Sequence, residues 1–282
     1  MKFPALDVRG ADSDFVLALV DDFSPTAVEE LADGISIFFT TPARRDDARA
    51  AVSAAMPDAL LSTREVDDED WAKRSQENLT PIVVGRLTVT PPWCVDDRHT
   101  STRDPEETPQ LRVVILPSMG FGTGHHATTR LCLEALQMLP LAGARVLDVG
   151  TGSGVLAIAA AKLGASSALG IDFDADAIAN ARENLDLNRD VHGVAFEVVD
   201  VRDAALPTTD IVLANLTGAV LVQTARLLEG AVADEGTLVV SGLQPHERED
   251  VVTAFSDGRI LWEKEEANWM SIAFNFPRVH TV

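Results

Sequence analysis

The amino-acid sequence predicts a doubly wound α/β domain built on a parallel sheet, preceded by a small ferredoxin-like α+β domain. From residue 111 onward, short apolar segments alternate with helical segments, the pattern of a parallel sheet covered by helices on both faces. Within that region, a glycine-rich turn joins an apolar strand to an apolar helix. Residues 13–66 contain two helical segments among short strands, which is typical of a ferredoxin-like sandwich.

The elements of the first domain follow from apolar runs and turn residues. The run at residues 15–20 predicts a strand, and Ser24 with Pro25 predicts the N-cap and first position of a helix that ends near Gly34. A strand over 35–40, a helix over 46–56 and a strand over 59–66 complete the unit. We expect residues 1–66 to recognise the substrate, because every candidate for the chemistry lies after residue 120.

Residues 67–110 are predicted to link the two domains. An acidic run at 67–70 ends the first domain, and residues 71–78 predict a short helix. Residues 82–89 predict a strand that is followed by a stiff turn at two prolines. The polar segment 96–110 predicts a surface loop, since it has almost no apolar side chain to bury.

The second domain, residues 111–282, alternates strands and helices. The predicted strands span residues 111–116, 146–149, 166–171, 194–199, 210–216 and 237–243. The predicted helices span residues 128–139, 155–163, 175–188 and a segment that ends near residue 255. Residues 261–264 and 269–276 predict a closing pair of antiparallel strands.

The most informative segment runs from residue 146 to residue 172. Gly150, Gly152 and Gly154 let the backbone turn tightly against a ligand. Asp172 follows the next strand, about 20 residues downstream, where an acid accepts hydrogen bonds from ribose hydroxyls. A strand, a turn, a buried helix, a second strand and a terminal acid therefore predict a site for a nucleoside.

The glycine spacing distinguishes between nucleoside cofactors. A dinucleotide-binding fingerprint requires glycine at its sixth position, where this chain has Val155. The pattern G-x-G-x-G instead resembles motif I of the class I methyltransferases, which have a Rossmann-like sheet. That resemblance implies S-adenosylmethionine as the cofactor.

Polar residues at the predicted strand ends are candidates for the site, because ligands of such sheets bind outside the carboxyl ends of the strands. Asp172 is the candidate for the ribose. Asp200 either lies near the adenine or is an ordinary turn residue, and the sequence leaves both possibilities open. Asn215 either caps a helix or accepts a hydrogen bond from an incoming amine and orients it; we assign it the catalytic role.

The residues after Asn215 exclude one class of target. Methyltransferases that act on nucleobase amino groups or glutamine amides resemble one another in an Asn-Pro-Pro-Tyr-type motif at this place. Here the sequence is Asn215-Leu216-Thr217-Gly218, without the paired prolines or the aromatic ring. A planar amide or a nucleobase is therefore not the expected substrate.

A second cluster spans residues 121–129, with the sequence F-G-T-G-H-H-A-T-T. Its glycines leave backbone N–H groups free for a carboxylate, and Thr128 or Thr129 can lie at a helix N-terminus, where anions are favoured. It is a candidate for the methionine carboxylate of the cofactor. A metal site at His125 and His126 is the alternative, but adjacent histidines point to different sides and nothing completes the ligand set, so no metal is predicted.

Composition narrows the partners and the compartment. The net charge of −21 repels phosphate backbones and anionic lipid and attracts basic partners, although it can also serve solubility or a saline habitat. Because of this charge, we expect no direct nucleic-acid binding. We expect no membrane, because no apolar run reaches transmembrane length, and the start lacks a signal-peptide pattern. Two distant cysteines, Cys94 and Cys132, are expected of a cytoplasmic protein.

Several segments together resemble the PrmA family, whose members methylate the eleventh protein of the large ribosomal subunit. The matching segments are F-G-T-G-H-H-A-T-T-R, L-D-V-G-T-G-S-G-V-L-A-I-A-A, G-I-D-F-D, A-N-L, S-G-L and the linker over residues 70–93. The resemblance covers about residues 70–282 and places Thr129, Gly150, Asp172 and Asn215 on the family's cofactor positions.

The resemblance implies N-methylation of lysine ε-amines on a basic ribosomal protein, with a terminal α-amine as a further acceptor. The chain departs from the family at residues 116–121, where L-P-S-M-G-F replaces the usual D-P-G-M-A-F. Two alternatives stay open: a methyltransferase acting on another protein or a small molecule, and a non-catalytic module that binds the cofactor and docks a basic partner.

Overall fold

The computed structural model describes residues 2–11, 13–20, 23, 25–31, 33–67, 80–95, 110–116, 126–202 and 205–277. These fall into a smaller unit up to residue 67 and a larger unit from residue 80. The predicted linker helix at 71–78 and nearly all of the predicted loop at 96–110 lie outside the described residues. None of the helices in the described part of the chain is long and apolar enough to span a membrane.

The smaller unit has the predicted ferredoxin-like topology. Its elements are β1 (Lys2–Arg9), α1 (Ser13–Val20), β2 (Ala27–Leu31), β3 (Gly34–Phe38), α2 (Pro42–Ala55) and β4 (Leu60–Asp67). The sheet order is β2-β3-β1-β4, and every neighbouring pair is antiparallel. Apolar residues of β1, β3 and both helices form the main core on the helix side of the sheet.

Two local predictions in this unit are wrong. Residues 15–20 form the second part of helix α1 rather than a strand, because Val16 and Val20 lie one turn apart and are both buried against the sheet. The predicted helix after Pro25 is strand β2, which pairs with β3 along its whole length. Strand β1 was not predicted, although it is one of the two central strands of the sheet. Helix α2 begins at Pro42, ahead of the predicted start, with Thr41 as its N-cap.

The larger unit contains the remaining elements. The strands are β5 (Ile82–Val84), β6 (Leu87–Thr90), β7 (Leu111–Val114), β8 (Arg145–Val149), β9 (Ser167–Asp172), β10 (Val194–Val198), β11 (Thr209–Asn215), β12 (Val232–Leu243), β13 (Arg259–Glu266) and β14 (Trp269–Asn275). The helices are α3 (Ala127–Met138), α4 (Val155–Lys162), α5 (Ala175–Leu187), α6 (Gly218–Gly230) and α7 (Arg248–Ala254). Helix α6 was not predicted.

The main sheet has the order β10-β9-β8-β11-β12-β14-β13. Strands β8 to β12 are parallel, whereas β14 runs antiparallel to both β12 and β13, which confirms the doubly wound sheet and the closing antiparallel pair. The strand order reverses between β8 and β11. The crevice at their carboxyl ends is therefore the expected place for a ligand.

Strands β5, β6 and β7 form a separate small sheet that belongs to the larger unit. The predicted single strand at 82–89 is a hairpin that turns at Gly85, whose φ of +54° favours glycine. Gln137 of α3 stabilises this turn, accepting from Arg86 N at 2.7 Å and donating to the Val84 carbonyl at 2.9 Å. Residues 80–95, assigned to the linker from sequence, therefore pack with the second domain.

Each face of the main sheet carries its own apolar core. Helices α3, α4 and α5 cover one face, together with the small sheet, and α6 and α7 cover the other. Six of the eight residues of α4, from Val155 to Ala160, are buried, as the apolar sequence of this helix predicts. This layering leaves the carboxyl edge of the parallel strands as the place where loops and helix N-termini meet.

Candidate functional site

The glycine turn lies between β8 and α4, and its backbone requires the glycines that the sequence analysis selected. Gly150, Gly152 and Gly154 have φ angles of +70°, +51° and +80°, in the left-handed region that side chains disfavour. A Cβ on Gly154 would lie 2.6 Å from the Phe196 ring, so this glycine also allows close packing of the turn against β10. Gly150 lies directly against the side chain of Leu216.

Asp172 stands at the end of β9 beside this turn. One carboxylate oxygen accepts a hydrogen bond from Gly152 N at 3.0 Å, and the other accepts from Asp174 N at 3.1 Å. The side chain is half-buried, and each oxygen keeps a second lone pair for a ligand. The geometry therefore fits an acid that fixes the turn and still accepts from a ribose hydroxyl.

Two exposed apolar side chains, Phe173 and Val198, border Asp172, and the sequence analysis did not select them. Phe173 is 75% exposed, although large apolar side chains are usually covered. Val198, in register with Asp172 on the neighbouring strand, is 52% exposed. An exposed aromatic ring beside the acid that is the candidate for the ribose is suited to the face of a purine. The only sequence signal was a phenylalanine directly after a strand-terminal acid.

Asp200 behaves as the turn residue that the sequence analysis kept as one alternative. Its carboxylate accepts from Arg202 N at 3.0 Å, from Nε at 2.9 Å and from Nη2 at 2.6 Å. The bonds from Arg202 hold the pKa of Asp200 at about 2. The carboxylate is therefore committed to its own turn.

Asn215 ends β11, on the opposite side of β8 from Asp172. Two strand spacings separate β9 from β11, or about 10 Å, so the two side chains flank the glycine turn. Asn215 is half-buried, and its side chain makes no hydrogen bond to another described residue. Its carboxamide is therefore available to a ligand.

The chain after Asn215 is held by the end of β12 and the residues that follow it. Leu216 N donates to the Ser241 carbonyl at 2.9 Å. Gly242 has a φ of +89°, and a Cβ there would collide with the Leu216 carbonyl, so this position needs glycine. The Glu247 carboxylate accepts from Gln244 N at 2.7 Å and lies against Gly218, the first residue of α6. These contacts fix the place of Asn215.

Thr129 lies in the first turn of α3, and its side chain is buried. His126 is the N-cap of this helix, with its Nδ1 atom 2.8 Å from Thr128 Oγ1. The Ser241 hydroxyl donates to the Met270 carbonyl at 3.0 Å and lies 3.3 Å from the Thr128 carbonyl, which ties the start of α3 to the carboxyl edge of the sheet. Residues 121–125 of the predicted cluster lie outside the described residues.

A histidine–tryptophan pair adjoins this helix start and was missed from sequence. The His126 and Trp269 rings meet edge to face, with centroids 5.0 Å apart. Burial and, to a smaller extent, the charge of Arg130 lower the pKa of His126 to about 4, so its imidazole is neutral at pH 7. Arg130 also binds Glu266 at 2.7 Å, which holds the β13–β14 turn against α3.

Asp148, in the middle of the V-L-D-V strand, is the other residue that sequence reasoning missed. It is 1% exposed; its Oδ2 accepts from Thr151 Oγ1 at 2.6 Å, and its Oδ1 has no partner among the described residues. Burial raises the pKa of Asp148 to about 7, and the hydrogen bond from Thr151, which by itself lowers the pKa, only partly offsets this effect. A polar residue inside an apolar strand was the available signal.

The sequence-predicted site residues thus meet at one edge of one sheet. The glycine turn, Asp172 and Asn215 come from three adjacent strands, and Thr129 comes from the helix start beside them. No group of three or more His, Cys, Asp or Glu side chains that could hold a metal occurs among the residues that the structure describes. The absence of a metal from the site stays a prediction.

Comparison with known proteins gives one family. The model of the family described as "Ribosomal protein L11 methyltransferase (PrmA)" matches residues 21–277. A ribosomal protein L11 methyltransferase of Deinococcus radiodurans is 42% identical over 195 residues, which cover 68% of this chain and 63% of that protein. One from Geobacter metallireducens is 40% identical over 226 residues, covering 79% of this chain and 70% of that protein.

Solved structures agree with this match. The crystal structure of a ribosomal protein L11 methylase from Lactobacillus delbrueckii subsp. bulgaricus superposes with a TM-score of 0.60 at 25% identity, covering 71% of this chain and 99% of that chain. A putative methyltransferase from Streptococcus mutans has a TM-score of 0.51 at 15% identity, covering 82% of this chain and 65% of that chain. The second likeness shows the fold alone.

Proposed function

The chain belongs to the PrmA family of ribosomal protein L11 methyltransferases, and from this membership we propose that it transfers methyl groups from S-adenosylmethionine to lysine ε-amines of ribosomal protein L11. The observation that carries the proposal is the convergence of the glycine turn, Asp172 and Asn215 at the carboxyl edge of a class I methyltransferase sheet. The N-terminal α-amine of the same protein is a further acceptor under this proposal.

The residues at this edge suit each part of the cofactor. Asp172 would accept from the ribose hydroxyls, and Phe173 and Val198 would cover a face of the adenine. The glycine turn and the start of α3 at Thr129 would receive the methionine end, since helix N-termini favour a carboxylate. When bound, the cofactor supplies an electrophilic methyl group on a positively charged sulfur.

The amine must reach the methyl group without its proton. A free lysine has a pKa of about 10.4, so presenting it neutral at pH 7 costs about 5 kcal/mol. Asn215 can accept from the neutral amine through its carboxamide oxygen and direct the nitrogen lone pair. An amine that loses its proton to water before attack needs no general base, and we assign none.

Charge supports a basic protein as the partner. A net charge of −21 attracts a lysine-rich substrate by long-range steering and opposes binding to nucleic acid or anionic membranes. We assign substrate recognition to residues 1–66, which contribute none of the cofactor candidates. The chain has two cysteines, Cys94 and Cys132, which agrees with the cytoplasm, where we place the reaction.

The test is methyl transfer to purified L11, followed by intact-mass and peptide mass spectrometry. We expect mass increases of whole methyl groups on lysines, together with tight binding of S-adenosylhomocysteine and no comparable binding of NAD. Transfer to another protein or to a small molecule, but not to L11, would mean that L11 is not the substrate. Cofactor binding without any transfer would favour a non-catalytic module, and NAD binding at equal strength would overturn the cofactor.

A further inference from the structure

Two buried carboxamides, one in α5 and one at its C-cap, have no role in the site described so far. Asn184 and Asn188 lie one helical turn apart and are 0% and 2% exposed. Buried polar side chains persist in proteins when they satisfy other buried polar groups, and both asparagines do so. Their partners lie in β7 and in the glycine turn.

The Asn188 carboxamide hydrogen-bonds the edge of the small sheet in the way that the backbone of a neighbouring strand would. Its Oδ1 accepts from Val114 N at 2.9 Å, and its Nδ2 donates to the Val114 carbonyl at 2.7 Å. The β7 edge, which has no further strand beside it in the sheet order β5-β6-β7, is satisfied in this way. Asn188 Nδ2 also donates to the Asn184 carbonyl at 2.7 Å, within the same helical segment. Since its hydrogen bonds go to Val114 and Asn184 rather than to the glycine turn, Asn188 serves as an internal reference.

The Asn184 side chain makes one hydrogen bond to the backbone near β7, as Asn188 does, and another to the backbone of the glycine turn. Its Oδ1 accepts from Leu116 N at 2.7 Å, just beyond the end of β7. Its Nδ2 donates to the carbonyl of Ser153, inside the glycine turn, at 2.9 Å. A single carboxamide thus joins the turn to the chain that leaves β7.

Asn184 and Asp172 hold the backbone of two neighbouring residues of the turn, and both come from the same β–α unit. Asp172 accepts from the N–H of Gly152, and Asn184 donates to the C=O of Ser153, the next residue. Three left-handed glycines give the turn many backbone alternatives, so two opposed hydrogen bonds are an effective restraint on it.

We propose that Asn184 is a positioning residue of the cofactor site, which holds the glycine turn and Leu116 in the arrangement that binds the methionine end of S-adenosylmethionine. The inference rests on the proposed function, since it takes the glycine turn as the cofactor site. Without Asn184, the buried Ser153 carbonyl and the half-buried Leu116 amide lose these hydrogen bonds, and the turn loses a restraint on its backbone. Cofactor binding then has to restore the turn, which weakens the apparent affinity.

The matched pair Asn184→Leu and Asn188→Leu tests this role in the full chain. Both changes are nearly isosteric, lie in α5 or at its C-cap, and remove buried hydrogen bonds to β7 or to Leu116 just beyond it; Asn188→Leu also removes a bond to the Asn184 carbonyl. We expect both to lower the melting temperature, but only Asn184→Leu to weaken S-adenosylhomocysteine binding about tenfold or more by calorimetry, with Asn188→Leu within about twofold. In turnover, Asn184→Leu should raise KM for S-adenosylmethionine more than it lowers kcat.

The outcomes separate the two claims. Equal affinities in the two variants, with tight binding by the wild type, would refute the positioning role and leave the proposed function standing. A wild type that binds no S-adenosylhomocysteine would refute both. If Asn184→Leu does not fold, hydrogen exchange on the wild type decides: the ligand should protect the Leu116 amide clearly more than the Val114 amide, and equal protection would overturn the proposal.

Discussion

Replacing Asp148 by asparagine should change how the stability of the protein depends on pH. Asp148 is fully enclosed beneath the glycine turn, and burial raises its pKa from 3.8 to about 7. In the unfolded chain the same carboxyl ionises near its ordinary value. Between these two pKa values the folded protein therefore holds a proton that the unfolded protein does not.

The sign and size follow from this difference. Because folding takes up a proton, the contribution of Asp148 is fully present below pH 3.8 and is lost as pH rises to about 7. A difference of about 3 pKa units corresponds to about 4 kcal/mol in the free energy of unfolding. Asparagine does not titrate, so Asp148→Asn removes the slope and adds only a constant offset for its unpaired buried N–H.

The assay is urea unfolding of both proteins at intervals from pH 4 to pH 9. The stability of Asp148→Asn relative to wild type should rise by about 4 kcal/mol up to about pH 7 and then level off. Comparing the pair cancels the opposite slope of His126, whose lowered pKa makes stability fall as pH drops from 6.5 toward 4. Asp200→Asn is the control, since a pKa of about 2 leaves it ionised throughout. A difference that stays constant with pH would refute the reasoning.

Four further predictions concern the site. Asp172→Ala should lower the affinity for S-adenosylhomocysteine about 5- to 150-fold by calorimetry, the equivalent of about 1–3 kcal/mol for a charge-assisted hydrogen bond. An unchanged affinity would mean that Asp172 does not bind the ribose. Asn215→Ala should lower kcat about 100-fold with little change in cofactor affinity, whereas the reverse pattern in kinetics and calorimetry would make it a cofactor ligand. A chain that starts at Thr80, which keeps the β5–β7 sheet in the core, should bind S-adenosylmethionine but fail to methylate L11. The full chain should lose apparent affinity for L11 as the salt concentration rises. Equal methylation of L11 by both chains would contradict the recognition role of residues 1–66. Gly218→Ala should cost about 0.5–1.5 kcal/mol in urea unfolding, because its Cβ would displace the Glu247 carboxylate from Gln244 N, and the cost should vanish in a Glu247→Ala background.

Those parts of the site that depend on local chemistry could be predicted from the sequence. Gly150, Gly152 and Gly154 are needed wherever the chain adopts three left-handed conformations within five residues, so their spacing alone identifies the turn. Asp172 and Asn215 follow apolar strands of a parallel sheet, whose carboxyl ends must meet at one edge. The same glycine spacing, with Val155 where a dinucleotide fingerprint has glycine, predicted the kind of cofactor.

The smaller unit shows where local chemistry is insufficient. The six-residue run that begins at Phe15 is apolar enough for either a strand or a helix, and periodicity cannot distinguish them at this length. Its state is decided by a core in which Val16 and Val20 pack beneath α1, and by β2, which takes the place beside β3. The overall topology was nevertheless predicted, because β3, α2 and β4 restrict how the remaining segments can complete a sandwich.

Buried polar residues were missed for a different reason, which bears on how this site is built. Asn184 is indistinguishable in sequence from the exposed polar residues of α5, because its partners lie 31 and 68 residues away at Ser153 and Leu116. Asp148 likewise lies in a strand whose other residues are apolar, and its partner Thr151 belongs to the glycine turn. Each of these side chains is costly to bury unless it is satisfied, and each is satisfied at least in part by the backbone or side chains of the same turn. The glycine turn is therefore restrained by polar groups from three sides, at Asp148, Asp172 and Asn184, which compensates for the flexibility that its glycines introduce.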